Sequence, residues 1–454
     1  MNQRSSIAIL GFGVEGRAMF NYLMAHEYGN ITICDKNVDL KDKMPEGVSV
    51  RLGEDYLNDL DDFDVIIRSP GIKYFDPHIQ AAVQAGKEVT STTAIFFDQC
   101  PCPIIGITGT KGKGTTSMLT YLMLKEADKD VHLGGNIGTP AIGFLDDLNK
   151  DSLVVFELSS FQLQDMKKSP KYAVLLNTTS DHLDYHADTG EYLTAKESIL
   201  ANQAKDSIAV LNKDYDYANH YKPLVKGRNL WVSVEEKVKN GAYSDEENIY
   251  FVEDDNATQI AKINEVKLIG SHNLENILPA VAIAGTIGVD KKDIERIIKT
   301  FDGLPHRLQF IKEVKGVKFY NDSIATSPDP SMAAVDSFEA PLTLIAGGYD
   351  KGADYNEWAL KILTKKNLRT VVLIGDLAEK MESAISQAEE KLGEAEGSPT
   401  KVLKRNTFEE AILDAFAETP ENGVIILSPA AASFDMFKNY KDRGEQFADI
   451  VGKL

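Results

Sequence analysis

Pro103-Ile104-Ile105-Gly106-Ile107-Thr108-Gly109-Thr110-Lys111-Gly112-Lys113-Gly114-Thr115-Thr116 is the stretch that decides the fold. An apolar run of strand type passes directly into a loop of glycines and lysines, and residues 117–127 then read as a helix. Strand, glycine loop and helix make the building unit of a parallel α/β sheet. The glycines let the backbone wrap a phosphate, the helix start presents free N–H groups, and Lys113 neutralises the outer phosphates, which suits a nucleoside triphosphate. The strict phosphate-loop pattern is broken twice. Ile107 stands where its first glycine belongs, and Gly114 replaces the hydroxyl residue that would hold magnesium; Thr115 is the nearest substitute. The bland alternative is a glycine-rich turn with a surface lysine.

The next strong apolar run, 153–156, ends at Glu157. A carboxylate at the C-terminal edge of such a strand faces the ligand crevice of an open α/β sheet and can hold Mg²⁺, although a strand-end glutamate is otherwise a solvated cap. Nearer the N-terminus, the strand Ile7–Leu10 runs into Gly11-Phe12-Gly13-Val14-Glu15-Gly16, and Asp35 ends the second strand, 31–34. This matches the fingerprint for binding pyrophosphate and ribose. By itself it points to an NAD-dependent oxidoreductase, but the same geometry would hold any nucleotide diphosphate, a UDP-sugar included, and a plain tight turn stays open.

Around these motifs the chain divides into three α/β segments: 1–91, with further strand 65–67 and helices at 17–26 and 77–85; 92–304, with strand 173–176 and helices at 194–204 and 273–284; and 305–454, with strands at 317–320, 342–346, 370–374 and 424–427 and a helix at 408–417. The acidic stretches 235–248 and 389–398 read as solvated loops or helix ends.

At 454 residues with 43% hydrophobic content, two or three domains are expected. The chain start lacks a basic segment with a long apolar core, and no later segment approaches eighteen apolar residues, so a soluble, cytoplasmic protein is expected. A net charge of −20 disfavours nucleic acid, so an anionic substrate must be met by local clusters of Lys, Arg and backbone N–H. Cys34, Cys100 and Cys102 read as ordinary reduced thiols, and Cys-Pro-Cys lacks the second ligand pair of a zinc site. The His182 and His186 spacing of a metal pair likewise finds no further ligands.

From Gly106 onward the motifs follow the order of the Mur ligases, which this chain resembles over essentially its whole length: the phosphate loop, Glu157-Leu158-Ser159-Ser160-Phe161-Gln162-Leu163, Asn177, Asp181-His182-Leu183-Asp184, Lys196, His272-Asn273 with Asn276, His306-Arg307, and Asn321-Asp322-Ser323. Within that family, Ser159 to Leu163, Leu427-Ser428-Pro429-Ala430, and Ser433 through Tyr440 to Arg443-Gly444 look like the D-glutamate-adding branch. So does the first fingerprint followed by Ser69-Pro70-Gly71.

The resemblance implies three domains: a Rossmann-like N-terminal domain for the UDP-sugar, a central P-loop ATPase-like domain, and a C-terminal Rossmann-like α/β domain for the amino acid. It implies ATP and Mg²⁺ as cofactors, UDP-N-acetylmuramoyl-L-alanine and D-glutamate as substrates, and a monomer with neither nucleic acid nor membrane as partner. ATP would be held by Gly109, Thr110, Lys111, Gly112, Lys113, Gly114, Thr115, Asn273, Asn276, Arg307 and Asp322. The catalytic set would be Lys113, Glu157, His182 and Lys196, with Thr115, Glu157, His182 and Lys196 at the metal and Lys196 carried as a carbamate. UDP-sugar contacts would come from Val14, Glu15, Asp35, Lys36, Ser69, Gly71 and Asn136. His182, Thr326, Lys351, Ser433, Phe434 and Tyr440 would meet the amino acid. Departures are Gly114, Ile324 where a lysine is common, Tyr440 for a usual phenylalanine, and Ser91-Thr92-Thr93-Ala94 for a more acidic segment. Another amino acid as the joined substrate, and a nucleotide-binding module without chemistry, remain rival readings.

Overall fold

The computed structural model describes residues 2–45, 47–178, 185–268, 270–392 and 400–454. Its described residues form three sheets, the three-domain α/β architecture expected. The first sheet is parallel, in the order Ser49–Leu52, Ile31–Asp35, Ile7–Leu10, Val65–Arg68, Glu88–Ser91. Ile7 to Leu10 are buried throughout, as a central parallel strand covered on both faces should be. Helix Val14–Ala25 starts three residues earlier than the apolar spacing indicated, because Gly13 ends the turn as its N-cap.

The second sheet has nine strands. Val131–Gly135, Leu153–Glu157, Ile104–Thr108, Tyr172–Leu175, Ile208–Asn212, Arg228–Ser233 and Gly241–Ser244 run parallel, and Asn248–Glu253 and Asn256–Lys262 extend the edge antiparallel. This corrects the solvated loop expected over 235–248. Gly241 has φ +122, and a Cβ there would stand 2.0 Å from the Trp231 carbonyl oxygen, so the chain packs tightly onto the neighbouring strand and then pairs with the following hairpin. The helix expected at 194–204 is Thr189–Ala201, begun by the Asp188 carboxylate accepting from Glu191 N.

The first two sheets belong to one compact unit, residues 1–266 and 271–300, and the third to another, 267–270 and 301–454. The helix between the first two sheets explains their union. Ser91 caps helix Thr92–Gln99, and its Phe96 ring packs against Phe144 and Phe156 at centroid distances of 5.8 and 5.4 Å. Each such aromatic buries enough apolar surface to contribute roughly 1.5–3 kcal/mol.

Taken by itself, the second unit carries six strands in the order Gln309–Val314, Val317–Asn321, Val424–Leu427, Leu342–Gly347, Leu368–Ile374, Lys401–Lys404, parallel except for the first pair. No described helix is long and apolar enough to cross a membrane.

Candidate active site

Strand Ile104–Thr108 lies between Leu153–Glu157 and Tyr172–Leu175, with Ile107 registered against Glu157. The glycine loop therefore leaves the sheet beside the Glu157 carboxylate, at the C-terminal strand edge. Gly112 is the N-cap of helix Lys113–Glu126 with φ +83, and a Cβ there would meet Asn276 Oδ1 at 2.1 Å. A side chain at that position is excluded both by the backbone and by the neighbour. Asn276 donates to Asn273 Oδ1 (2.8 Å) and its carbonyl accepts from Thr116 Oγ1 (3.1 Å), so the two asparagines expected at the nucleotide flank the loop.

Lys113 Nζ donates to the carbonyls of Gly109 and Thr110, both at 2.9 Å. Lys196 Nζ, on a side chain only 1% exposed, reaches Gly109 O at 3.0 Å and Thr108 Oγ1 at 3.3 Å. Two ammonium groups thus converge on one carbonyl in an acidic protein. Tyr192, four residues before Lys196 and so on the same helix face, places its ring 4.7 Å from that Nζ and its hydroxyl 2.8 Å from Thr110 Oγ1. The motif reading passed over Tyr192; the i, i+4 spacing was the available signal.

Glu157 is 5% exposed, and its Oε1 accepts from Asn136 Nδ2 at 2.9 Å. Asn136, expected at the UDP-sugar, is in this arrangement a holder of that carboxylate. Thr115 lies buried in the first helical turn, while Lys111 is exposed. Among the described residues no three His, Cys, Asp or Glu side chains gather as a metal cluster. His182 lies outside the described residues. His186 is buried between Glu191 Oε1 (3.0 Å) and Ser160 Oγ (2.9 Å), which gives it a structural place.

At the first glycine turn, Asp35 accepts from Phe12 N (2.6 Å) and Asn37 N (2.8 Å), and Ser69 Oγ donates to Gly11 O (2.8 Å). Gly16 must be glycine, since a Cβ would sit 2.0 Å from Gly11 O. Val14 is exposed, Gly71 borders open space, and Lys36 pairs with Glu54 in solvent. Glu15 turns inward: Gln162 Nε2 donates to its Oε1 at 2.9 Å, and Oε2 is buried without a hydrogen-bond partner. Burial pushes this carboxyl up to about 7, against the lowering effects of the Gln162 bond and the Arg68 charge. Oε2 and the equally unpartnered Thr92 Oγ1 belong to residues lining one cavity of about 10 Å³.

Arg68, fully buried, ties this domain to the central one. It donates to Asp165 Oδ1 (2.8 Å), Phe161 O (3.1 Å), Ile72 O (2.7 Å) and Tyr185 Oη (3.2 Å). Sequence reading missed it, because its carboxylate partner lies 97 residues away.

In the second unit, a loop cluster stands at the C-terminal strand ends. Tyr349 and Phe434 meet edge to face at 6.1 Å, and Lys351 Nζ lies 5.4 Å from the Phe434 ring centre. Phe434 is 59% exposed, an unusual place for a phenylalanine, whereas Ser433 is buried. Arg443 is fully buried and donates to Ser323 Oγ and O and to the carbonyls of Ala431 and Ala432; desolvation lowers it to about 10. Ser323 in turn donates to Tyr440 O at 2.8 Å, and the Tyr440 ring stands edge-on to His306. Thr326 is half-buried in the turn before helix Pro328–Asp336. Asp322 spends both carboxylate oxygens inside the unit, on Ser428 Oγ (2.7 Å) and Leu308 N (3.2 Å), and burial raises it to about 7. Arg307 is exposed. His306, Leu308 and Ala430 adopt positive φ (64°, 43° and 57°), strain that non-glycine residues keep where surrounding bonds fix the backbone.

Three family models match in succession: the Mur ligase MurD-like N-terminal domain over residues 5–91, the Mur ligase middle domain over 107–284, and the Mur ligase glutamate ligase domain over 306–431. The chain is 39% identical to the UDP-N-acetylmuramoylalanine--D-glutamate ligase of Acetivibrio thermocellus, covering 100% of this chain and 97% of that protein. It is 36% identical to the protein of the same name from Clostridium botulinum (strain Kyoto / Type A2), covering 99% and 96%. Among solved structures, the UDP-N-acetylmuramate-alanine ligase MurC of Thermotoga maritima is similar with a TM-score of 0.59 at 17% identity, covering 99% of this chain and 100% of that one. The MurF ligase of T. maritima in complex with ADP gives 0.58 at 18%, covering 98% and 95%. These two show likeness of fold.

Proposed function

The chain belongs to the Mur ligase family, and from that premise we propose that it is the ATP-dependent ligase that adds D-glutamate to UDP-N-acetylmuramoyl-L-alanine, as a cytoplasmic monomer in peptidoglycan precursor synthesis. The observation that carries the chemistry is the convergence of Lys113 and Lys196 on Gly109 beside Glu157.

The substrate carboxylate attacks the γ-phosphorus of ATP, ADP leaves, and an acyl phosphate forms. Lys113 and the loop N–H groups spread the charge that builds on the transferring phosphoryl oxygens. The amine of D-glutamate then attacks the acyl carbon, and collapse of the tetrahedral adduct expels phosphate as the amide forms. The proton lost from the amine leaves to water or to the departing phosphate, since His182 is given to the metal in this scheme. Gly11 to Gly16, Asp35, Lys36, Ser69 and Gly71 serve the UDP-sugar; Thr326, Lys351, Ser433, Phe434 and Tyr440 serve the amino acid, with the Lys351 ammonium meeting a carboxylate.

The donor set beside the loop suits a hard cation: a buried carboxylate oriented by an amide, a threonine hydroxyl, and a buried lysine which, as a carbamate, would present two anionic oxygens. Glu157, Thr115, His182 and carbamylated Lys196 would hold Mg²⁺, which neutralises phosphate charge. Carbamylation also relieves the crowding of two cations at Gly109. A carbonyl signal from ¹³CO₂ on Lys196 in NMR, lost in Lys196→Arg, tests the modification.

The activity is tested by ATP-dependent phosphate release with UDP-N-acetylmuramoyl-L-alanine and D-glutamate, L-glutamate, D-aspartate or meso-diaminopimelate in parallel. Release with D-glutamate, with a UDP-linked product of matching mass, supports the reading. Release with another amino acid keeps the ligase and discards the substrate, and silence with all four rejects the reading.

A further inference from the structure

Cys100 caps the C-terminus of helix Thr92–Gln99, and Cys102 precedes Pro103 and the strand that enters the phosphate loop. Their Sγ atoms are 3.6 Å apart, and the Cys100 thiol also donates to the Cys102 carbonyl at 3.5 Å. Both residues are half-buried and so reachable from solvent, whereas Cys34 is wholly buried. Residues two apart in sequence are never more than about 7 Å apart at Cα, inside the range a disulfide can bridge. Pro101 and Pro103 fix φ on either side of Cys102, and Cys100 N is tied to Phe96 O at 2.8 Å, so little chain freedom is lost on closure.

We propose that Cys100 and Cys102 form a dithiol site that exchanges with small uncharged disulfides, closing to a Cys100–Cys102 disulfide at the junction between the nucleotide-sugar domain and the phosphate-loop strand. The Cys100 thiolate attacks one sulfur of the small disulfide and releases one thiolate, leaving a mixed disulfide. The Cys102 thiolate then attacks Cys100 Sγ and releases the second. Two protein thiols are oxidised by two electrons, and one small disulfide is reduced to two thiols.

The order of attack follows from the pair's asymmetry. The hydrogen bond from Cys102 holds Cys100 below the ordinary thiol range, while that bond, burial and the negative charges of Cys100 and Asp130 hold Cys102 above it. Asp130 is itself fixed by Ser152 Oγ (2.5 Å), with His132 Nε2 at 3.2 Å. Its carboxylate and the chain's net charge of −20 both disfavour anionic disulfides. Cys34, raised to about 11 by burial, is the internal reference that stays out of the reaction.

The folded full-length chain is treated with 2-hydroxyethyl disulfide, quenched with N-ethylmaleimide and digested, and the tryptic peptide 88–111, which carries both cysteines, is weighed. The expected result is loss of both labels from that peptide with a mass lower by two hydrogens, reversed by dithiothreitol, with Cys34 unchanged. Cys102→Ser should stop at a stable mercaptoethanol adduct on Cys100, and Cys100→Ser should react more slowly at Cys102. A wild-type chain that accumulates the stable adduct, or keeps both thiols alkylatable while Cys102→Ser is fully adducted, overturns the proposal. So does a chain in which neither wild type nor variant reacts.

Discussion

The first unit contains two strand–glycine–helix turns, built alike and charged oppositely. At Gly11–Gly16 the turn's N–H groups are partly committed to protein: Phe12 N is bound by Asp35, and a second carboxyl, Glu15, sits in the first helical turn. At Gly109–Gly114 two lysine ammonium groups reach the loop carbonyls, and the first helical turn holds no acid. The same backbone recipe thus carries carboxyl groups at one turn and ammonium groups at the other. Side chains within the turn, Glu15 and Lys113, and others brought to it, Asp35 and Lys196, decide which charge it carries.

Removing charge from the second turn should have the largest effect. Lys113→Ala should lower kcat/KM for phosphate release about 10²–10³-fold, the usual consequence of deleting a donor to a charge that develops in the transition state; a loss below about tenfold would mean that Lys113 is only a loop brace. Next come the glycines. Gly16→Ala forces a methyl against a backbone carbonyl that cannot rotate away, and chemical denaturation should show about 1–3 kcal/mol of destabilisation. Gly112→Ala meets a side-chain oxygen instead, but its φ of +83 still costs roughly 1–2 kcal/mol, which should appear mainly as weaker ATP binding in calorimetry.

A smaller effect separates the turns by pH. Glu15 is raised in the folded state from 4.5 to about 7, so its contribution to stability is complete below about 4.5 and lost as pH rises through about 7. Glu15→Gln keeps an acceptor for Gln162 and should flatten the fall in thermal midpoint between pH 5.5 and 8 by about 2–4 °C, worth ~1 kcal/mol. An unchanged slope would show that the carboxyl does not titrate in that window. Smallest of all, Gly13→Ala borders open space and should change stability by no more than about 0.5 kcal/mol.

Much of this was legible in the residues. The phosphate loop, Glu157 at a strand end and the first glycine turn are local patterns, and local patterns survive in a sequence. What failed to show depended on distance or on context. Gly241–Ser244 is only four residues long and Asn256–Lys262 is largely polar, so neither shows an apolar alternation, while the apolar run of Asn248–Glu253 is hidden behind Asp245-Glu246-Glu247. Arg68 and Arg443 look like surface charges until their distant partners are known. Asp322 reads as a group near the nucleotide or the interdomain contact, and its bonds to Ser428 and Leu308, the former 106 residues away, leave no trace in the spacing.

The strand made last, Val424–Leu427, lies in the middle of the third sheet, between Val317–Asn321 and Leu342–Gly347. A ribosome that has finished nine-tenths of this chain has therefore made five strands with a gap where the sixth belongs. Until that strand emerges, both flanking strands present unpaired edges to their surroundings. Messages cut short by a late stop codon should thus yield clumped, degraded product in place of a partly working enzyme. A tag appended after Leu454 would have no such effect, since the missing strand has by then taken its place.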